Sequence, residues 1–162
     1  MNTGTLDETL ANTCKKGVPM MKGQDASGII IIDGQERVLL VHHTYGKKQW
    51  SLPGGMVEDG ESAWDAAERE LKEEINITAK DIEVSGIYFQ PHKNRYIYTF
   101  RSHAYEGELE VDNQEIDSYG FFGMDELPRP ISSFTVERLK DAVSNTKTVF
   151  REEQVAKYEI LE

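Results

Sequence analysis

Residues 55–77 read GMVEDGESAWDAAERELKEEINI, and the placing of charged and apolar side chains in this stretch decides how the rest of the chain is read. Ala63, Ala67, Leu71 and Ile75 recur every four residues and line one side of a helix with apolar groups. Glu70, Glu73 and Glu74 stand at i, i+3 and i+4, so their carboxylates share another side. Like charges at that spacing repel. The relief is a hard divalent cation, which prefers several oxygen ligands. Ser62 is placed to cap the helix start, with Asp65 three residues on as a variant of the capping box, and Asn76 tolerates the left-handed conformation that ends a helix. The expectation is a helix with one flank in the core and its acidic flank facing a cavity.

Working outward, residues 49–52 read as a short strand entering the Gly54-Gly55 turn. Residues 27–33 (SGIIIID) form a β-branched run and read as a buried strand, 34–36 as a turn, and 37–42 (RVLLVH) as its hairpin partner. Downstream, 82–90 and 95–104 form another strand pair around 91–94, and 119–123 is a further strand. Residues 135–145 form an amphipathic helix with Val136, Leu139, Ala142 and Val143 inward. The tail from Lys147 reads equally as strand or helix. Strands and helices alternate without a regular βαβ repeat, which places the chain in the α/β class with a mixed sheet and helices on both faces. Residues 1–24 read as a polar arm, and 25–162 as a single domain.

At 162 residues the chain can bury a real core. No apolar run reaches membrane-spanning length, and the first residues lack the pattern of a secretory signal. Cys14 is the sole cysteine, which excludes an intramolecular disulfide and points to a reducing cytoplasm. A net charge of −11 disfavours membrane association and nonspecific nucleic-acid binding. An anionic substrate would be repelled by the acidic flank unless metal ions intervene.

The motif Gly55, five residues, Glu61, seven residues, Arg69-Glu70-Leu71, one residue, Glu73-Glu74, one residue, Asn76-Ile77 resembles the Nudix box, with Asn76 where that family has its last glycine. Both residue types accept positive φ. The resemblance extends through 50–54 and 121–128. It implies a Nudix-type α/β/α sandwich with a mixed β-sheet, magnesium (or manganese) as cofactor, and hydrolysis of a nucleoside diphosphate linked to another group by water attack on a pyrophosphate phosphorus. By the same resemblance Glu70, Glu73 and Glu74 are metal ligands, and Glu61 is a further ligand or a group that steadies one. Gly55 offers its carbonyl to the metal. Arg69 points off the metal face and orients a box glutamate through a bidentate pair. The general base is a box glutamate or an acid of the loop 112–118, Glu115 before Asp117, since Ser118 stands where many relatives carry glutamate. His43, with His42 and the neighbouring lysines, Trp50 and Tyr96 are candidates for substrate contact, and core or strand-end roles remain open for each. The implied partner is a nucleotide-derived small molecule, ADP-ribose or a nucleotide sugar. A nucleoside triphosphate or RNA 5′ end cut in the manner of MutT and a non-catalytic nucleotide sensor are the alternatives. A homodimer is an assembly the resemblance allows.

Overall fold

The run Ile29 to Ile32 is buried on both faces, and its residues divide by parity between two cores. Ile29 and Ile31 pack with Ala67, Leu71 and Ile75, while Ile30 and Ile32 pack with Leu139 and Ala142. Val38 to Val41 divide in the same way. Successive strand side chains point to opposite faces, so an unbroken apolar run marks a strand covered on both sides.

The computed structural model describes residues 22–111 and 113–162. In chain order the elements are β1 (Ala26–Ile31), β2 (Val38–His43), β3 (Trp50–Ser51), β4 (Gly54–Met56), α1 (Ala63–Ile75), β5 (Thr78–Lys80), β6 (Glu83–Gln90), β7 (Arg95–Ser102), β8 (Ala104–Glu106), β9 (Ile116–Phe122), β10 (Ile131–Ser132), α2 (Ser133–Ser144), β11 (Val149–Glu152) and β12 (Ile160–Leu161). One five-stranded sheet has the order β11-β6-β7-β1-β4, a second has β12-β10-β3-β2-β9, and β5 pairs with β8 alone. Both large sheets mix parallel and antiparallel neighbours. Helix α1 covers β1 and β4, and α2 covers β6, β7 and β10, giving the α/β/α sandwich.

The expected hairpin of 27–33 with 37–42 does not form. A single bridge, Ile32 with Val38, joins them, and β1 and β2 lie in different sheets. A strand has only two hydrogen-bonding edges. Those of β1 are taken by β7, parallel along its whole length, and by β4, antiparallel over residues 26–28. The turn between them is tight all the same: Asp33 Oδ1 accepts from the Gln35 and Arg37 amides, both at 2.9 Å.

Pairing settles the tail as strand. β11 runs parallel to β6, and β12 antiparallel to β10, with a 3-10 turn at Val155–Lys157 between them. Helix α2 starts two residues before its expected first residue, capped by Ser132, whose side chain accepts from the Thr135 amide. Of the arm expected over 1–24, residues 1–21, with Cys14, lie outside the described residues. Residues 22–25 run against the body: Gly23 donates to the Asn94 carbonyl (3.0 Å), Gln24 to that of Val57 (3.0 Å), and Asp25 accepts from the Tyr96 amide (2.8 Å). Among the described residues no helix is long and apolar enough to cross a membrane.

Candidate active site

Helix α1 begins and ends where the sequence places its caps. Ser62 Oγ accepts from the Asp65 amide at 3.0 Å and donates to the Asp65 carboxylate at 2.7 Å. Asn76 closes the helix at φ 62°. Ala67, Leu71 and Ile75 are buried, and Ala66 joins them. Trp64 rests edge-on against Phe100 and donates to Glu68.

The opposite flank meets β4. Gly54 and Gly55 sit against β1 through the pairs Gly28–Gly54 and Ser27–Gly55. Two close approaches there leave no room for a side chain as the groups stand. A Cβ on Gly54 would lie 2.4 Å from the Ser27 carbonyl oxygen, and one on Gly55 would lie 2.3 Å from Glu70 Oε1. The space a side chain would fill at Gly55 is thus held by the Glu70 carboxylate. Glu74, only 3% exposed, accepts from the Gly54 amide at 3.0 Å. The Pro-Gly-Gly turn and the acidic flank are therefore one unit.

Arg69 does not point away from this unit, as the sequence suggested; its long side chain carries five donors and reaches across it. Nε and Nη2 grip Glu61 bidentately at 2.8 and 3.0 Å, and Nη1 meets Glu70 at 2.8 Å and Glu73 at 3.1 Å. Nη2 also donates to the Met56 carbonyl at 3.0 Å. The expected bidentate pair with a box glutamate is present, and its acceptor is Glu61. The guanidinium's hydrogen bonds hold the Glu61 carboxyl well down, at about 2. Glu70 moves the other way. Partial burial raises it, the Arg69 pairing opposes that, and the charges of Glu73 and Glu115 add to the rise. Three carboxylates, those of Glu61, Glu70 and Glu73, share one guanidinium.

Glu115 lies within electrostatic reach of this group, since its charge acts on both Glu70 and Tyr45. Its carbonyl accepts from the Thr44 amide at 2.8 Å, which ties the loop to the end of β2. Asp117, the second candidate for base, is engaged elsewhere. It pairs with His42 Nδ1 at 2.7 Å, and that hydrogen bond lowers its carboxyl. Tyr45 was not singled out by sequence. Burial raises its phenol first, and the charges of Glu115, Glu74 and Glu70 raise it further, which places it beside the acidic flank.

Beside Tyr45 opens a pocket of about 250 Å³ lined by His43, Gln49 and Trp50 among others. His43 Nδ1 and Gln49 Oε1 are buried there without a hydrogen-bond partner among the described residues. Burial and the neighbouring His42 depress the His43 imidazole. Trp50 turns one edge to Phe122 in the core and also lines this pocket, so the core and contact roles coexist. Tyr96 does not join them. It packs against Phe89 and Tyr98, is 41% exposed, and does not line this pocket. Strand alternation is the reason: its neighbour Arg95 has the opposite face of β7 and lines a cleft instead.

The oxygen-only character of Glu61, Glu70, Glu73 and Glu74, with the side-chain-free cradle at Gly55, suits a hard dication. Among the described residues no three His, Cys, Asp or Glu side chains already converge at ligand spacing. Arg69 forms ion pairs with three of the four glutamates.

Comparison with known proteins agrees with this geometry. The model of the NUDIX domain matches residues 22–142, and the chain belongs to that family. A MutT NUDIX hydrolase from Burkholderia pseudomallei superposes with a TM-score of 0.67 at 25% identity, over 75% of this chain and 98% of that one. An ADP-ribose pyrophosphatase from Streptococcus suis gives 0.61 at 25% identity, over 82% and 100%. An RNA pyrophosphohydrolase of Teredinibacter turnerae is 40% identical over 60 residues, 37% of this chain and 35% of that protein. An NAD-capped RNA hydrolase of Pseudomonas syringae is 27% identical over 114 residues, 67% of this chain and 41% of that protein. The matched segments thus span about a third to two fifths of the length of these two relatives.

Proposed function

We propose that the chain is a metal-dependent pyrophosphohydrolase that cuts a nucleoside diphosphate linked to another moiety, with ADP-ribose and nucleotide sugars as first substrates. The observation that carries this reading is the joint seat of Glu70 against Gly55 and Glu74 on the Gly54 amide, which aims two carboxylates at one backbone turn. Glu70, Glu73 and Glu74, the Gly55 carbonyl and Glu61 would hold magnesium or manganese. Bound there, the ion neutralises phosphate charge as the bond breaks. Arg69 keeps the carboxylates in register through its fork. Glu115 takes the proton of the attacking water, supported by its nearness to Glu70. His43, Gln49 and Trp50 contact the substrate beside the phosphates, supported by the two polar atoms there that have no partner among the described residues. A single domain acting in the cytoplasm, alone or as a homodimer, fits this reading.

A second reading, cleavage at a triphosphate or capped RNA 5′ end, is favoured by the relatives named for RNA pyrophosphohydrolysis and NAD-cap removal. A panel of ADP-ribose, nucleotide sugars, dinucleoside polyphosphates, nucleoside triphosphates and 5′-triphosphate RNA, assayed with each metal, separates the two. Glu74→Gln is the test of the site itself. The amide can still accept from Gly54, so the fold persists, while kcat falls at least about a hundredfold as the ion loses a ligand. Near-normal turnover in this variant would place the metal elsewhere, and tight nucleotide binding with no turnover of any substrate would make the chain a sensor.

A further inference from the structure

Next to the acidic flank lies a cleft of opposite character. It has a volume of about 510 Å³, and Lys47, Lys93, Arg95 and Arg138 line it together with Phe134 and Tyr158. No Asp or Glu is among its lining residues, in a chain that carries 29 acidic residues against 18 basic.

One of the four cations is already neutralised. Arg138 forks onto Glu153 at 2.8 and 2.6 Å, and that carboxylate has no exposed side-chain surface. Glu153 also accepts from Gln90 (2.7 Å), whose carbonyl oxygen in turn accepts from Arg95 Nε at 2.8 Å. This buried relay positions Arg95 without supplying it a counter-charge. Arg95 Nη1 also donates to Met56 Sδ at 3.6 Å. Lys47 lies over the Tyr158 ring at 5.1 Å. Among the described residues no carboxylate forms an ion pair with Lys47, Lys93 or Arg95. Glu153 and Asp25 act on Arg95 only at longer range. Burial lowers both Arg95 and Lys93, and each is depressed further by a neighbouring cation, Arg138 for the first and Arg95 for the second. Three cations line one concavity, two of them, Arg95 and Lys93, partly dehydrated, an arrangement that an anion relieves.

Two routes connect this cleft to the reaction site. Met56, which touches Arg95, follows Gly55 in sequence and accepts from Arg69 through its carbonyl. Lys47 and Ser132 are shared with the pocket that holds His43, Tyr45 and Trp50.

We propose that this cleft is a second phosphate subsite, where Lys93, Arg95 and Lys47 hold a phosphoryl group of the substrate other than those of the pyrophosphate that is cut. The inference rests on the hydrolase reading above and deepens it. The group attached to the nucleoside diphosphate is itself phosphorylated, as in a dinucleoside polyphosphate or an RNA 5′ end, which favours the second of the two readings above over nucleotide sugars. Phe134 and Tyr158 form an apolar wall for its base.

The test has a binding arm and a kinetic arm, using wild type, Lys93→Gln and Lys47→Gln/Lys93→Gln. Lys93 lies on the exposed turn Pro91–Lys93, so its replacement leaves the core untouched. By calorimetry with inorganic tripolyphosphate in EDTA, wild type binds, and the affinity falls about tenfold with each lysine removed. No binding to wild type, or equal binding to all three proteins, overturns the proposal. In the kinetic arm, Lys93→Gln lowers kcat/KM for diadenosine tetraphosphate or for 5′-triphosphate RNA about tenfold more than for ADP-ribose. Whichever of the two shows the larger loss identifies the source of the phosphate, and equal losses on all three substrates overturn the proposal. If wild type hydrolyses nothing yet loses tripolyphosphate binding in Lys93→Gln, the subsite stands and the hydrolase reading falls.

Discussion

Replacing Gly55 by alanine tests the geometry of the acidic flank with a single methyl group. The backbone at Gly55 is open to any residue, because its φ lies outside the left-handed region. The effect is therefore steric and local. The new Cβ would stand 2.3 Å from Glu70 Oε1 and 2.4 Å from its Cδ. Ordinary contact is roughly 3.5 Å, so the carboxylate must retreat by about 1 Å. Glu70 is the free end of a flexible side chain, and the retreat costs the fold no more than an off-rotamer torsion, about 1 kcal/mol. That corresponds to a fall in Tm of roughly 2–4 °C in a chain of this size. Catalysis is less forgiving: a displacement of about 1 Å in a positioning group costs on the order of a hundredfold, or about 2.7 kcal/mol of barrier. The assay is steady-state hydrolysis of the best substrate of the panel with magnesium, run beside thermal unfolding. Gly34→Ala, at an exposed turn with no atom within 4 Å of the added methyl, is the control and keeps full activity. A Gly55→Ala enzyme within threefold of wild type, with its fold intact, would refute the view that the position of the Glu70 carboxylate matters.

Two further expectations concern the fold. Arg138→Leu leaves the wholly buried Glu153 carboxylate without its partner, which costs about 3 kcal/mol or more and lowers Tm by roughly 10 °C; an unchanged Tm would mean that the pair contributes nothing. Tyr88 donates to the buried Asp141 carboxylate at 3.0 Å, and burial first, then the Asp141 charge, raises its phenol. A raised folded value means that this stabilisation is complete below the unfolded phenol's pKa of about 10 and is lost as pH climbs through the folded value. Tyr88→Phe should cost about 1 kcal/mol at neutral pH and flatten the alkaline limb of stability measured by denaturant titration; an identical limb in the variant would assign that limb to another group.

Helix α1 was legible because its signals are local. The spacing of Ala67, Leu71 and Ile75, the cap at Ser62 and the left-handed stop at Asn76 all act within a few turns of one another, and each stands where the sequence places it. Tyr96 shows the limit of the same method. The alternation on β7 is visible in the sequence, but which face meets a cleft is not, and Arg95 rather than the adjacent aromatic residue lines it. The basic cleft is not legible in the sequence for a related reason. Lys47, Arg95 and Arg138 come from three distant segments, and nothing short of the fold brings them together. Four consecutive residues, Pro91-His92-Lys93-Asn94, looked like a turn and nothing more, yet a basic turn in so acidic a chain was a signal available to be read.

By itself the sequence determined the box helix, the acidic flank it carries, the glycine turn before it and the family those residues belong to, because helical periodicity, capping and glycine's freedom depend on near neighbours. Only the tertiary structure decided that β1 gives its edges to β4 and β7 rather than to β2, that the tail completes both sheets, that Arg69 grips Glu61, and that three cations without carboxylate partners among the described residues gather beside the acidic flank. Those choices depend on competition for strand edges and on burial shared among segments far apart in the chain, and no local pattern records the outcome of that competition.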